Sequence, residues 1–163
     1  MALPRAVLLV AVLAAASLGG WWAGSARQEA AGSQAMVTGV VDGDTIEVAW
    51  RGGRERVRLL GVNTPETVHP TRPVECFGPE ASAYTKHSLL GRRVRLSFDR
   101  VRRDNYGRLL AYVELDGRRF NDELLDGGYA RLLVIPPNGS HARAMLDHEL
   151  AARAAGRGLW GAC

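Results

Sequence analysis

From residue 36 to residue 115 short apolar runs alternate with turn signals at a spacing too tight for long helices. Residues 36–41 and 45–50 are rich in β-branched positions and flank Asp42-Gly43-Asp44, which predicts a hairpin. Arg51-Gly52-Gly53-Arg54 turns the chain into a third antiparallel strand over 56–62. Residues 63–78 hold three prolines and no periodicity. They predict a loop, and a loop of that length inside a compact domain is usually functional. Pro79 then opens a helix at a first-turn position with Glu80 beside it, and Gly91 closes it after Leu89-Leu90.

The second half repeats the strand pattern before turning helical. Residues 94–98 alternate, Asp104-Asn105-Tyr106-Gly107 turns the chain, and 109–115 returns before Asp116-Gly117. Asn121 is placed to cap a short helix through Leu125, ended by Gly127-Gly128, and 130–135 reads as extended. A last helix spans 140–155 with Ala142, Met145, Leu146 and Leu150 on one face. Five short strands, one helix after the third and helices at the end predict an α+β fold. Its centre is a five-stranded barrel of the oligonucleotide/oligosaccharide-binding (OB) kind with about three helices.

The first 35 residues follow a different pattern. Arg5 precedes a wholly apolar or small stretch over 6–18, and no charge occurs again until Arg27. That is a targeting segment. Small residues at Gly24-Ser25-Ala26 and Ser33-Gln34-Ala35 suit cleavage of a signal peptide after Ala26 or Ala35. The competing reading is an uncleaved membrane anchor: about 20 residues of helix span roughly 30 Å, one hydrocarbon core. The expected organisation is a signal peptide or anchor over 1–26, a linker over 27–35 and one folded domain over 36–163. Either reading exports the domain, whether secreted, periplasmic or held at the cell surface. An oxidising compartment permits a disulfide between Cys76 and Cys163, worth at most about 4.5 kcal/mol by loop closure. Two free thiols are the alternative.

Lys and Arg outnumber Asp and Glu 21 to 17. The excess modestly favours an anionic partner, and only Arg5 and Arg27 precede residue 51, so the positive surface belongs to the folded domain. Several chemistries are excluded. Counting Asp42 as a first ligand puts Ile46 and Glu47 where an EF-hand needs a ligand and a glycine. His148-Glu149 begins no zinc helix, because position 152 is alanine, and His69, His87 and His141 share no ligand spacing. Arg58 on an apolar strand, pointing into a barrel or its mouth, and Glu66 just past the strand end each have an ordinary reading as a solvated arginine and a turn residue.

Taken together, VVDGDTIEV, VRLLGVNTPET, FGPEASAYTK, RDNYGRLLAYV and the closing GLW resemble the thermonuclease family, the staphylococcal-nuclease-like enzymes, over about 37–160. The resemblance implies an exported, calcium-dependent nuclease that cuts DNA and RNA with little sequence preference and leaves 3′-phosphate ends. It implies Asp44, the Asn63 side chain and the Thr64 carbonyl as Ca²⁺ ligands, an all-oxygen set suited to a hard cation. Glu66 matches the carboxylate that orients or deprotonates the attacking water, and Arg58 and Arg108 match the two guanidinium groups on the scissile phosphate. Asp42 and Thr45 match supporting groups that order Asp44, and Tyr106 a contact to nucleotide. No obligate protein partner is indicated, and a membrane tether through the amino-terminal segment follows only on the reading of that segment as an uncleaved anchor.

Two departures from the family pattern carry expectations of their own. Asn63 stands where the best-known member has an aspartate, which removes one negative charge and predicts weaker calcium binding. Residues 132–137 (LLVIPP) replace tyrosines that stack on the base, which predicts lower nucleotide affinity without loss of chemistry. The alternative function is a catalytically inactive OB module that only binds nucleic acid; it is disfavoured because Glu66, Arg58 and Arg108 are all present.

Overall fold

The computed structural model describes residues 34–67, 71 and 73–163. The targeting segment, most of the linker and His69 lie outside the described residues. Among the described residues no helix is long and apolar enough to cross a membrane.

Five strands close a barrel. β1 (Gln34–Asp42), β2 (Thr45–Trp50) and β3 (Gly53–Leu59) form an antiparallel meander. β5 (Arg93–Ser97) pairs antiparallel with the start of β1 and with β6 (Leu109–Leu115), and β6 runs parallel to β3 to complete the circuit. Closure leaves β1 with two register shifts, between Val37 and Gly39 and between Val40 and Asp42, which bend it enough to serve both neighbours. β1 starts within the stretch read as linker: Ala35 is buried and pairs with Val94. The inner face is apolar, largely by alternation along the strands, with Ile46, Val48, Val57, Leu59, Val94, Leu96, Leu109, Ala111 and Val113 buried.

The third strand is not continuous to Val62 as its apolar pattern predicts. It breaks at Leu60, and β4 (Gly61–Asn63) pairs instead with β8 (Arg131–Leu133) in a separate two-stranded ribbon. Gly61 makes the break: its φ is +74°, and a Cβ there would lie 2.5 Å from the Met145 methyl carbon. β7 (Arg118–Arg119) is a two-residue edge on β6.

α1 (Gly78–Leu89) begins one residue before Pro79, behind a left-handed Phe77, and packs against β1 with Ala81, Thr85 and Leu89 buried. α2 (Phe120–Asp126) covers the barrel through Phe120, Leu124 and Leu125. Asn121 does not cap it. That side chain is fully buried, donates to Leu60 O at 2.8 Å and accepts the Val113 N–H at 2.9 Å, tying the strand break to β6. α3 (Ala142–Ala154) turns a different face inward from the one its apolar residues suggest: Met145, Glu149 and Ala152 are buried, while Leu146 and Leu150 are exposed. Glu149 is drawn in because its carboxylate accepts the Leu132 N–H from β8. α4 (Leu159–Ala162) is a final turn. Trp160 on it lies between the guanidinium groups of Arg131 and Arg153, at 4.6 and 4.5 Å from the ring centre.

Cys76 and Cys163 are bonded in the structure, which joins the residue just before α1 to the carboxyl terminus.

Candidate active site

The turn between β1 and β2 is held from three sides. Asp42 Oδ1 accepts the Asp44 N–H at 3.1 Å, the local bond that makes Asp-Gly-Asp a turn. Thr85 on α1, wholly buried, donates its hydroxyl to Gly43 O at 2.7 Å. Gly43 itself is fixed by close approach, since a Cβ there would sit 2.7–2.8 Å from three side-chain atoms of Thr64. The loop leaving β4 therefore packs directly on the turn.

That packing positions Asp44. Its Oδ1 accepts the Thr45 hydroxyl at 3.1 Å, and its Oδ2 accepts the Thr64 N–H at 2.9 Å and pairs with Arg58 Nη2 at 3.0 Å. Because Val57 and Leu59 face the barrel interior, Arg58 turns away from it and curls over the strand end. Arg58 Nη1 donates to Leu59 O and Val62 O, both at 2.8 Å, and Nη2 donates to Asn63 Oδ1 at 3.2 Å. The break at Leu60 is what wraps these carbonyls around the guanidinium. A continuous strand would send them apart.

Arg108 enters from the turn before β6. Asp104 accepts the Arg108 Nε–H at 2.7 Å and the Arg108 and Tyr106 backbone N–H groups at 3.0 Å each. Partial burial pushes the Asp104 carboxyl up, but the Arg108 and Tyr106 donors outweigh it and hold it below its usual range. Arg58 and Arg108 line one cavity of about 570 Å³ together with Leu133, Ile135 and the Pro136-Pro137 pair. Tyr106 stands outward, 86% exposed, with the Arg108 guanidinium 5.4 Å from its ring centre. Glu66 lies two residues beyond Thr64; its Oε1 accepts the Thr67 N–H at 2.9 Å and its own N–H donates to Glu75 Oε2 at 3.1 Å.

Asp44, Thr45, Arg58, Asn63 and Thr64 thus meet by direct contact, and Arg108 shares a cavity wall with Arg58. The donor set fits a hard cation. By type these oxygens suit such an ion, but Asp44 Oδ2 and Asn63 Oδ1 are both bonded to Arg58 Nη2, so a cation held by them takes the place of that nitrogen. Asp42 is raised to about 6, first by burial and then by the Asp44 charge. Among the described residues no three His, Cys, Asp or Glu side chains gather, so water would have to complete any coordination shell.

Among the described histidines, His148 bonds Asp126, His141 meets the Tyr112 ring edge-on and Arg119, and His87 is exposed on α1. Sequence reasoning missed Thr85 and Asn121 as positioning residues. A β-branched polar residue at a core position of α1 was a readable signal for the first. The second was read as a cap because caps favour the same residue type.

The family described as "Staphylococcal nuclease homologue" matches residues 56–162. A thermonuclease of Staphylococcus intermedius is 49% identical over 110 residues, 68% of this chain and 66% of that protein. A thermonuclease of Staphylococcus hyicus is 40% identical over 121 residues, 74% of this chain and 72% of that protein. Endonuclease YncB of Bacillus subtilis (strain 168) is 39% identical over 122 residues, 74% of this chain and 58% of that protein. The aligned segment thus spans 66% of the first relative's length and 58% of YncB's.

Proposed function

The chain belongs to the staphylococcal nuclease homologue family, and on that footing we propose that it is an exported, calcium-dependent nuclease hydrolysing phosphodiester bonds of DNA and RNA. It acts with little sequence preference and leaves 3′-phosphate ends. The observation that carries this reading is the convergence of Asp44 and Asn63 on Arg58 at the rim of a cavity that Arg108 shares.

Arg58 and Arg108 hold the scissile phosphate between them. Both are always protonated, and the bonds of Arg58 Nη1 to Leu59 O and Val62 O and of Arg108 Nε to Asp104 hold the two guanidinium groups in place as charge grows on the phosphoryl oxygens. Glu66 takes the proton of the attacking water on the side opposite the departing 5′ oxygen. Asp44, the Asn63 amide oxygen and the Thr64 carbonyl would hold Ca²⁺, with Asp42 and Thr45 ordering Asp44. Bound there, the ion supplies Lewis-acid stabilisation of the phosphoryl oxygens. Backbone phosphate contacts carry no sequence information, which suits a substrate range spanning DNA and RNA. Cys76 and Cys163 suit an oxidising, extracytoplasmic location.

Plasmid DNA incubated with the purified chain in calcium, then with chelator, tests the reading beside Glu66→Gln. Cleavage is expected only with calcium and is expected to fall at least about 100-fold in the variant. Calcium-dependent cleavage that persists unchanged in Glu66→Gln overturns the assignment of Glu66. Binding without cleavage by the parent protein establishes the inactive binding module instead.

A further inference from the structure

β3 carries two arginines, Arg54 and Arg56, that the catalytic site does not use. Val57 and Leu59 face the barrel, so Arg54, Arg56 and Arg58 alternate onto the outer face, about 6.6 Å apart in steps of two residues. Only Arg58 reaches the site. Arg54 and Arg56 are exposed on the floor of a groove of about 590 Å³, walled by Tyr106, Gly107 and Arg108. Arg108 lines both this groove and the catalytic cavity, so the two adjoin at that side chain.

The wall is fastened to the floor. Arg103 donates to both oxygens of Glu55, at 3.0 and 2.7 Å, and to Gly107 O at 2.6 Å, which pins the Tyr106 turn against β3. The same pair neutralises Glu55, whose carboxyl is held low by the Arg103 hydrogen bonds. Glu47 is the other acid on the floor. It opposes Arg56 across the strand pair at 3.5 Å, with both side chains about half exposed, a loose pair that a phosphate can exchange with. Arg54 faces Ala49 across the strand pair.

We propose that the outer face of β3 is a binding track for single-stranded nucleic acid running on from the scissile phosphodiester, with Arg56 and Arg54 each holding one flanking phosphate and Tyr106 offering its ring to a base. The surroundings favour this occupant: an outward aromatic ring beside a line of guanidinium groups, adjoining the cavity of Arg58 and Arg108, suits a polyanion with stackable bases. This inference rests on the nuclease reading above.

The test compares the parent with Arg54→Ala/Arg56→Ala on two substrates, a dinucleotide with one phosphodiester and a strand of about 20 nucleotides. The dinucleotide should be cleaved with unchanged kcat/KM, while KM for the long strand rises about tenfold. In a Glu66→Gln background, anisotropy titration of the labelled long strand should give a salt slope shallower by about 1.4, two phosphate contacts at about 0.7 each. Arg54→Lys/Arg56→Lys should recover most of the slope and of the affinity. An unchanged slope and KM for the long strand overturn the track, and so does an equal loss on the dinucleotide, which would place both arginines at the reacting bond. Failure of the nuclease reading is separate: the parent then cleaves neither substrate, and the anisotropy arm still decides the track.

Discussion

Arg58 Nη2 lies 3.0 Å from Asp44 Oδ2, with the two side chains only 15% and 7% exposed. A buried pair of this kind is costly to break one-sidedly, because the surviving charge keeps its desolvation cost without its partner. Arg58→Met also strips donors from Leu59 O, Val62 O and Asn63 Oδ1. Urea unfolding should register a loss of about 3 kcal/mol. The double variant Asp44→Asn/Arg58→Met should lose less than the sum of the single variants by at least about 1 kcal/mol. Additivity would mean that the pair is not coupled.

Asn63 shares Arg58 Nη2 with Asp44, so Asn63→Asp places a second carboxylate against the same cation position. Calcium affinity measured by calorimetric titration should rise about tenfold or more, since an added charge at close range contributes more than about 1.4 kcal/mol at intermediate dielectric. An unchanged affinity would show that the residue 63 side chain is not a ligand.

The strands were legible because each barrel position repeats a period of two and each turn is marked by Gly or Asp. What could not be read locally was set by distant residues. The break at Leu60, which builds the Arg58 nest, turns on Gly61, and only that glycine marks it within the apolar run over 56–62, while the Met145 side chain of α3 that crowds it lies far off in sequence. Apolar spacing favours Leu146 and Leu150 as the inward face of α3, whereas the structure turns Met145, Glu149 and Ala152 inward, with Glu149 accepting the Leu132 N–H from β8. The site residues were legible as types in familiar motifs, whereas the bonds from Thr85 and Asn121 that position them depend on tertiary contacts.

Thr85 is the helix-borne support of the Asp-Gly-Asp turn. Thr85→Val keeps the volume and deletes the donor, leaving Gly43 O short of its 2.7 Å bond in a buried setting. The expected cost is about 1–3 kcal/mol in unfolding free energy. Calcium affinity should fall with it as the turn loosens around Asp44. A Thr85→Ser variant, which retains the hydroxyl, should keep more of the calcium affinity than Thr85→Val.

Asp99 ties the end of β5 to the approach to α3. Its carboxyl is held below the usual range, chiefly by the Ser140 N–H at 3.0 Å, with the Arg100 N–H and Tyr112 hydroxyl contributing. A carboxylate whose pKa is lower folded than unfolded contributes stability that is present above its unfolded pKa, about 4, and is lost as pH falls through the folded value. Asp99→Asn should therefore be less stable than the parent at pH 7, with the difference narrowing below about pH 4. A difference independent of pH would assign the loss to shape and not to charge.

The bond between Cys76 and Cys163 spans a sequence separation of 87 and joins the end of the Glu66-bearing loop to the chain terminus. Constraining so long a loop in the unfolded chain is worth about 2–4 kcal/mol in practice. Cys76→Ser/Cys163→Ser should unfold at lower temperature by several degrees, and reductant should lower the parent's Tm toward the variant's while leaving the variant unmoved. Mass spectrometry of the non-reduced protein should find a mass about 2 Da below the dithiol form. Because the barrel core is complete without either cysteine, the variant should still fold. A Tm of the parent insensitive to reductant, with both thiols free to alkylation, would leave the loop anchored by its backbone bonds alone, Glu75 N–H to Glu66 O at 2.9 Å among them.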